Sequence, residues 1–261
     1  HGAGTNRVAG MSAWLDEQMN PALVPQTLHD PISDAGRNQN NPINNQYGRE
    51  DSYAWLQTAV HAKDQVRHRM ATALSEIVVV SGDGAAISTG RNRTISTYYD
   101  MLAENAFGAY TNLLYDVSVS PAMGIYLSHF RNAKAVTNAM GEVLSSPDEN
   151  YAREIMQLFS IGLVKLHQDG SIHLGENGLP LATYELETIT EVAKIFTGWG
   201  VGTNSDGSGG TVENTNFFTG AGPVGDQTRL IHPMKMFQTY HDESAKVTLN
   251  GLTIPAGQSG E

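Results

Sequence analysis

A serine, a proline and a glycine bracket the stretch that most limits how this chain can fold. Residues 146 to 163 read Ser-Pro-Asp-Glu-Asn-Tyr-Ala-Arg-Glu-Ile-Met-Gln-Leu-Phe-Ser-Ile-Gly-Leu. Ser146 is placed to cap a free backbone N–H, Pro147 presets φ in the first turn, and Glu149 completes a capping box. Gly162 supplies the stop. At about 100° per residue, Tyr151, Ala152, Ile155, Met156, Leu158 and Phe159 share one wide apolar face, and Asn150, Arg153, Glu154 and Gln157 form a stripe opposite. On an exposed helix that stripe is a solvated face, with a Glu149–Arg153 pair worth a few tenths of a kcal/mol. On a helix covered from both sides it is a buried network in which every member needs a partner, because an unpaired buried charge is expensive. Such a network is either a structural lock or a site.

Helical periodicity recurs along the chain. Residues 11–19 carry Trp14, Leu15 and Met19 on one side, and a second segment from Asp51 carries Tyr53, Trp55, Leu56 and Val60. Val66, Met70, Ala73, Leu74 and Ile77 follow the i, i+4, i+7, i+8, i+11 pattern of a core helix. Asp64, Arg67, His68, Arg69 and Glu76 accompany that helix and read first as solvated or ion-paired residues around it. Ser96 is expected to cap a helix with Tyr99, Met101 and Leu102, and Ser120-Pro121 opens another. His129, at the end of that helix, reads as a cap or surface residue. Leu186, Ile189, Val192, Ala193 and Phe196 mark one more helix, ending at Gly198.

Between these segments lie a proline- and asparagine-rich irregular arm at 20–50, a loop from Gly82 to Gly90, and a glycine-rich mobile insertion at 200–225. Short hairpin strands are expected over 164–182, where Asp169-Gly170 and Asn177-Gly178 supply tight turns and His167 faces His173. Another hairpin is expected around Asn250-Gly251. The fold predicted is therefore mainly α, one multi-helix orthogonal or bundle-like domain over 1–261 with small appended β-hairpins.

Charge and cysteine content narrow the chemistry. Acids outnumber Lys plus Arg by 27 to 16, for a formal charge of −11, which argues against nucleic acid or an anionic membrane surface as partner. There is no cysteine, which removes disulfides, thiolate chemistry and Cys-ligated zinc. No apolar run approaches the roughly 20 residues of a membrane span. Serine-hydrolase elbow, phosphate loop, zincin helix and dinucleotide-binding fingerprint are all missing. One loop stands out near the end, Tyr240-His241-Asp242-Glu243 followed by Lys246, held between short strands; it is either well placed to present polar groups or a turn that Asp242 stabilises.

The run Asp148 to Phe159, followed by Ile161-Gly162-Leu163, resembles the signature of a bacterial family catalogued as domain of unknown function 1800. Asp64-Gln65-Val66-Arg67, Ala73-Leu74-Ser75, Val79-Val80-Ser81, Ser120-Pro121-Ala122-Met123, Tyr126-Leu127, Phe196-Thr197-Gly198-Trp199, His241-Asp242 and Lys246 fall in the order that family shows. The resemblance implies an exported protein, secreted or held in the cell envelope, whose relatives continue past the position of Glu261. The start at His1 is then expected to be that of a processed product or fragment, and the chain a C-terminally shortened member.

Two functions follow. One is an envelope or extracellular protein that binds a polymer or partner protein, with the 150–157 stripe as a lock. The other is a hydrolase-like, metal-dependent or metal-free enzyme. In it Glu154, Arg153 and His241 are the catalytic candidates and Glu149, Asn150, Gln157, Asp242 and Lys246 the binding ones. Neither a metal nor a cofactor is specified by these residues.

Overall fold

The computed structural model describes residues 4–32, 50–82, 91–205, 210–218 and 230–258. Residues 83–90 of the expected loop, 33–49 of the arm, and 206–209 and 219–225 of the glycine-rich insertion lie outside them. The chain is mainly helical, its strands confined to small antiparallel pairs. It divides into two compact units, His1–Val117 and Ser118–Glu261.

The first unit contains α1 (Gly4–Met19), α2 (Glu50–His61), α3 (Gln65–Ile77) and α4 (Arg91–Glu104). A 3-10 turn at Asn105–Phe107 then leads into α5 (Tyr110–Val119), whose last two residues belong to the second unit. Helix α4 packs along α3 and against α2, and α1 meets α3. Ala54, Ala71, Val78, Ile95, Tyr98, Leu102, Ala103 and Leu113 are buried, and the Tyr98 hydroxyl donates to the Val78 carbonyl at 2.6 Å.

Helix α3 is present where periodicity placed it, but its faces are exchanged. Met70, Ala73 and Ile77 are exposed, whereas Asp64, Arg67, His68 and Ala71 are buried. The physical reason lies in what the polar side chains find inside. Arg67 Nη1 donates to the Ala103 carbonyl at 2.8 Å, in the last turn of α4, where free carbonyls and the negative dipole end meet a cation. Its guanidinium also lies 4.9 Å from the centroid of the Phe107 ring. A polar face with such partners can turn inward while Met70 and Ile77 stay out. Ser96, expected as a cap, is buried inside α4, which begins five residues earlier.

The second unit opens with α6 (Pro121–Tyr126), which has proline at its first position as expected. It continues through the pair β1 (Val136–Thr137) and β2 (Val143–Ser145) to α7 (Asn150–Gln157). Helix α7 is shorter than the 146–163 stretch because residues 146–149 are not helical. Ser146 makes no cap; the Asp148 carboxylate accepts from Asn150 N at 2.8 Å instead. The Asn132 amide grips the Asp148 backbone from both sides, accepting from its N–H at 2.9 Å and donating to its carbonyl at 3.1 Å. Gly162 does end the stretch: with φ at +71°, its N–H and that of Ile161 both reach the Met156 carbonyl at 3.0 Å.

Antiparallel bridges Val164–Ala182, Leu166–Ile172 and Leu174–Pro180 form the expected hairpins over 164–182, and the His167 and His173 rings face one another with centroids 4.5 Å apart. Helix α8 (Leu186–Ile195) packs on α7 through Ala152, Met156, Ile189, Val192 and Ala193. Leu158, expected in that apolar face, is 60 % exposed. The pairs β3 (Trp199–Gly200) with β6 (Lys235–Met236), β4 (Thr203–Ser205) with β5 (Thr211–Glu213), and β7 (Lys246–Val247) with β8 (Thr253–Ile254) complete the unit. The last is the Asn250-Gly251 hairpin, with positive φ at both residues.

Candidate functional site

Helix α7 sets out the expected stripe unevenly. Asn150 is exposed and Gln157 half-buried. Arg153 lies 3.4 Å from Glu149 with both side chains more than a third exposed, a pairing worth only tenths of a kcal/mol. Glu149 has one tie beyond its helix, accepting from the Thr190 hydroxyl of α8 at 2.9 Å. Glu154 is half-buried, and its Oε2 is buried with no hydrogen-bond partner. Among the described residues no hydrogen bond or ion pair joins Arg153 or Glu154 to His241.

His241, Asp242 and Lys246 do share one loop, and their polar atoms serve its backbone. His241 is buried with Nδ1 2.9 Å from the Thr197 carbonyl, so Nδ1 carries the hydrogen and donates. Asp242 N–H donates to the Thr197 hydroxyl oxygen at 2.8 Å. Lys246, 2 % exposed, donates to the carbonyls of Asp242 at 2.6 Å and Ser244 at 2.9 Å. Burial lowers its pKa against the pull of nearby Asp242. The Asp242 carboxylate closes its own turn on the Ser244 N–H and hydroxyl. Burial pushes its pKa up, and these hydrogen bonds outweigh that and hold it below the usual carboxylate range. An ammonium buried on two carbonyls is a clamp for the chain path.

His129 is not a surface or cap residue. It is 1 % exposed, stacks on Tyr151 at 3.9 Å between ring centroids, and places Nε2 2.8 Å from the Ser118 carbonyl. Burial lowers its pKa to about 4 although the carbonyl contact favours the proton. A neutral ring stacked on a tyrosine is core packing.

The side chains best placed for chemistry are in the first unit. The segment 27–30, inside the expected irregular arm, is fixed by buried carboxylates. Asp64 accepts from Thr27 N at 2.9 Å and from the Thr27 hydroxyl at 2.8 Å. Asp100 accepts from the backbone N–H of His29 at 2.6 Å and of Asp30 at 3.0 Å. Asp30 in turn receives a two-pronged bond from Arg93, at 2.8 and 2.6 Å. Two histidines complete the arrangement. His29 Nδ1 lies 2.8 Å from Asp100 Oδ1, and His68 Nε2 lies 3.2 Å from Asp64 Oδ2, a contact bent from ideal alignment but close enough for the charges to couple. The two rings meet edge to face with centroids 5.1 Å apart.

Beside them opens a cavity of about 310 Å³, at the small end of the roughly 300–1,000 Å³ of small-molecule sites. Helix α3 contributes Gln65, His68, Arg69 and Thr72, the i, i+3, i+4, i+7 positions of one face. Trp55 and Ala59 of α2, Ala71 of α3 and Tyr99 of α4 supply apolar surface. Burial, reinforced by Asp51 and Glu76, raises the Tyr99 pKa and keeps its hydroxyl protonated. With Nδ1–H directed at Asp100, the lone pair of the neutral form of the His29 ring lies on Nε2, the arrangement in which a carboxylate orients an imidazole. Among the described residues no group of three or more His, Asp or Glu is placed to hold a metal ion.

None of these residues was a site candidate in the sequence. Asp64 and His68 carried a signal, because an Asp and a His at i, i+4 on a helix lie on one face. His29 carried none, since its partner Asp100 is 71 residues away.

A mainly helical protein with a histidine-lined cavity is the class that fold and site define. Residues 3–261 match the model of the family described as Protein of unknown function (DUF1800), and the chain belongs to that family. No curated protein and no solved structure matches the chain.

Proposed function

We propose that this chain is a small-molecule-binding protein whose site is the cavity of the first unit, with His29 as its proton acceptor. The observation that carries this reading is the His29–Asp100 pair, 2.8 Å apart, on the wall of a cavity of ligand size. A carboxylate that fixes the imidazole tautomer and six further hydrogen bonds that fix the 27–30 segment bearing it are what preorganised binding and proton transfer require. Export to the envelope or extracellular space, and contact there with a polymer or partner protein, are carried over from the family resemblance as the setting of that site; cell fractionation tests them.

One observation favours a second reading, the hydrolase-like enzyme centred on Glu154, Glu149, Arg153 and His241: the buried Glu154 Oε2 without a partner, since unsatisfied buried groups gather at working sites. The loop bonds of His241 and the half-open position of Arg153 weigh against it. A ligand-observed NMR screen of small aromatic and aliphatic compounds separates the two. The expected result is a set of binders kept by Glu154→Gln and lost by Ala59→Phe, which fills the cavity. Binders kept by Ala59→Phe and lost by Glu154→Gln would move the site to α7.

A further inference from the structure

Resting on the reading of the cavity as a binding site, we propose that its ligand is a small carboxylate with an apolar body. Arg69 lines the cavity, is exposed, and makes no ion pair among the described residues. Its planar fork matches a carboxylate, which accepts two parallel N–H bonds. No aspartate or glutamate lines the cavity among the described residues.

The two carboxylates behind the wall are already engaged. Asp100 takes hydrogen bonds from the His29 ring and from two backbone N–H groups, and Asp64 takes two from Thr27 and faces His68. Each therefore holds an imidazole, and it is the imidazoles that line the cavity. The formal charge of −11 and the acids near Tyr99 would draw a cation to this region, yet a cation inside would find no acid lining the cavity. Trp55, Ala59 and Ala71 offer only apolar contact, which suits a ring or branched chain attached to the carboxylate.

The test is isothermal titration calorimetry of the full chain with three probes of one shape: benzoate, neutral benzamide and cationic benzylammonium. Benzoate is expected to bind one to one, with benzamide about tenfold weaker, the ratio supplied by one charge-assisted hydrogen bond, and benzylammonium weaker still. Arg69→Gln is expected to abolish the preference for benzoate with no change in melting temperature, because Arg69 is exposed and unpaired among the described residues. Ala59→Phe, with its fold checked by circular dichroism, is expected to abolish binding of all three. If benzamide or benzylammonium binds as tightly as benzoate and is lost in Ala59→Phe, the cavity is a site but the carboxylate assignment is wrong. If benzoate keeps its advantage in Arg69→Gln, the assignment also fails. If no probe binds the unaltered chain, or all bind Ala59→Phe equally, the cavity reading itself fails.

Discussion

Asp64→Asn removes one charge from the bonds that hold the wall of the cavity. Asp64 is fully buried, and burial by itself would raise its pKa. The contact with His68 and the two hydrogen bonds from Thr27 outweigh burial and lower it from 3.8 to about 2. Unfolded, the carboxyl has its ordinary value; folded, it holds its charge to lower pH. Above about pH 4 both states are ionised and the stabilisation is fully present. As pH falls from about 4 towards 2 the unfolded chain takes up the proton first and the stabilisation is lost. At 1.36 kcal/mol per pH unit, the difference is on the order of 2 kcal/mol. Urea unfolding followed by circular dichroism at a series of pH values measures it. At neutral pH the variant is expected to lie on the order of 2 kcal/mol below the unaltered chain, with the gap closing between about pH 4 and 2. Because Thr27 leads directly into His29, the variant should also bind cavity ligands more weakly. A gap that is absent, or one that does not change with pH, would refute the role given to Asp64.

Three other outcomes are expected. His129, with its folded pKa lowered to about 4, stays neutral where the unfolded chain would take a proton. Its contribution is therefore present above the ordinary histidine value of about 6.5 and is lost as pH falls from there towards 4; its ring resonances in NMR should hold still down to about pH 5. Gly198→Ala should cost about 2–3 kcal/mol in thermal or urea melts, because φ is +83° and the new Cβ would meet the Phe237 carbonyl oxygen at 2.9 Å, whereas Gly141→Ala, also at φ +83° but facing open space, should cost only about 1 kcal/mol. Arg153→Ala should change the unfolding free energy by less than about 0.5 kcal/mol, as a half-exposed i,i+4 pair predicts; a larger loss would show that the α7 stripe is a lock after all.

Local rules with one strong physical cause were legible in the sequence. Pro121 began a helix, Gly162 ended the central stretch, and Asn250-Gly251 made a turn with two positive φ values, because each depends on a few adjacent residues. Helix existence was legible for α3, but the direction of its faces was not. Apolar periodicity ranks a face by its own residues, whereas the inward turn of Arg67 and His68 depends on Ala103, Phe107 and Asp64, and the first two of these lie more than thirty positions along the chain. The same limit hid His29. An asparagine- and proline-rich arm shows no period of its own, and its 27–30 stretch is ordered by Asp64, Arg93 and Asp100, which reach it across 37 to 71 residues. The expected site residues His241, Asp242 and Lys246 were legible as a loop, because His-Asp followed by Lys is a local pattern. That Asp242 closes the turn was one of the two readings open in the sequence; that the loop is tied to Thr197 was not legible, since Thr197 lies 44 residues from His241.

The most direct test of the His29 site is a long-range proton–nitrogen NMR correlation of the histidine rings, recorded with and without a cavity-bound ligand. His29 should carry its hydrogen on Nδ1, facing Asp100, and its Nε2 resonance should shift as the ligand saturates while those of His129 and His241 stay in place. A His29 ring protonated on Nε2 alone, or one whose Nε2 is indifferent to every ligand that binds the protein, would contradict it.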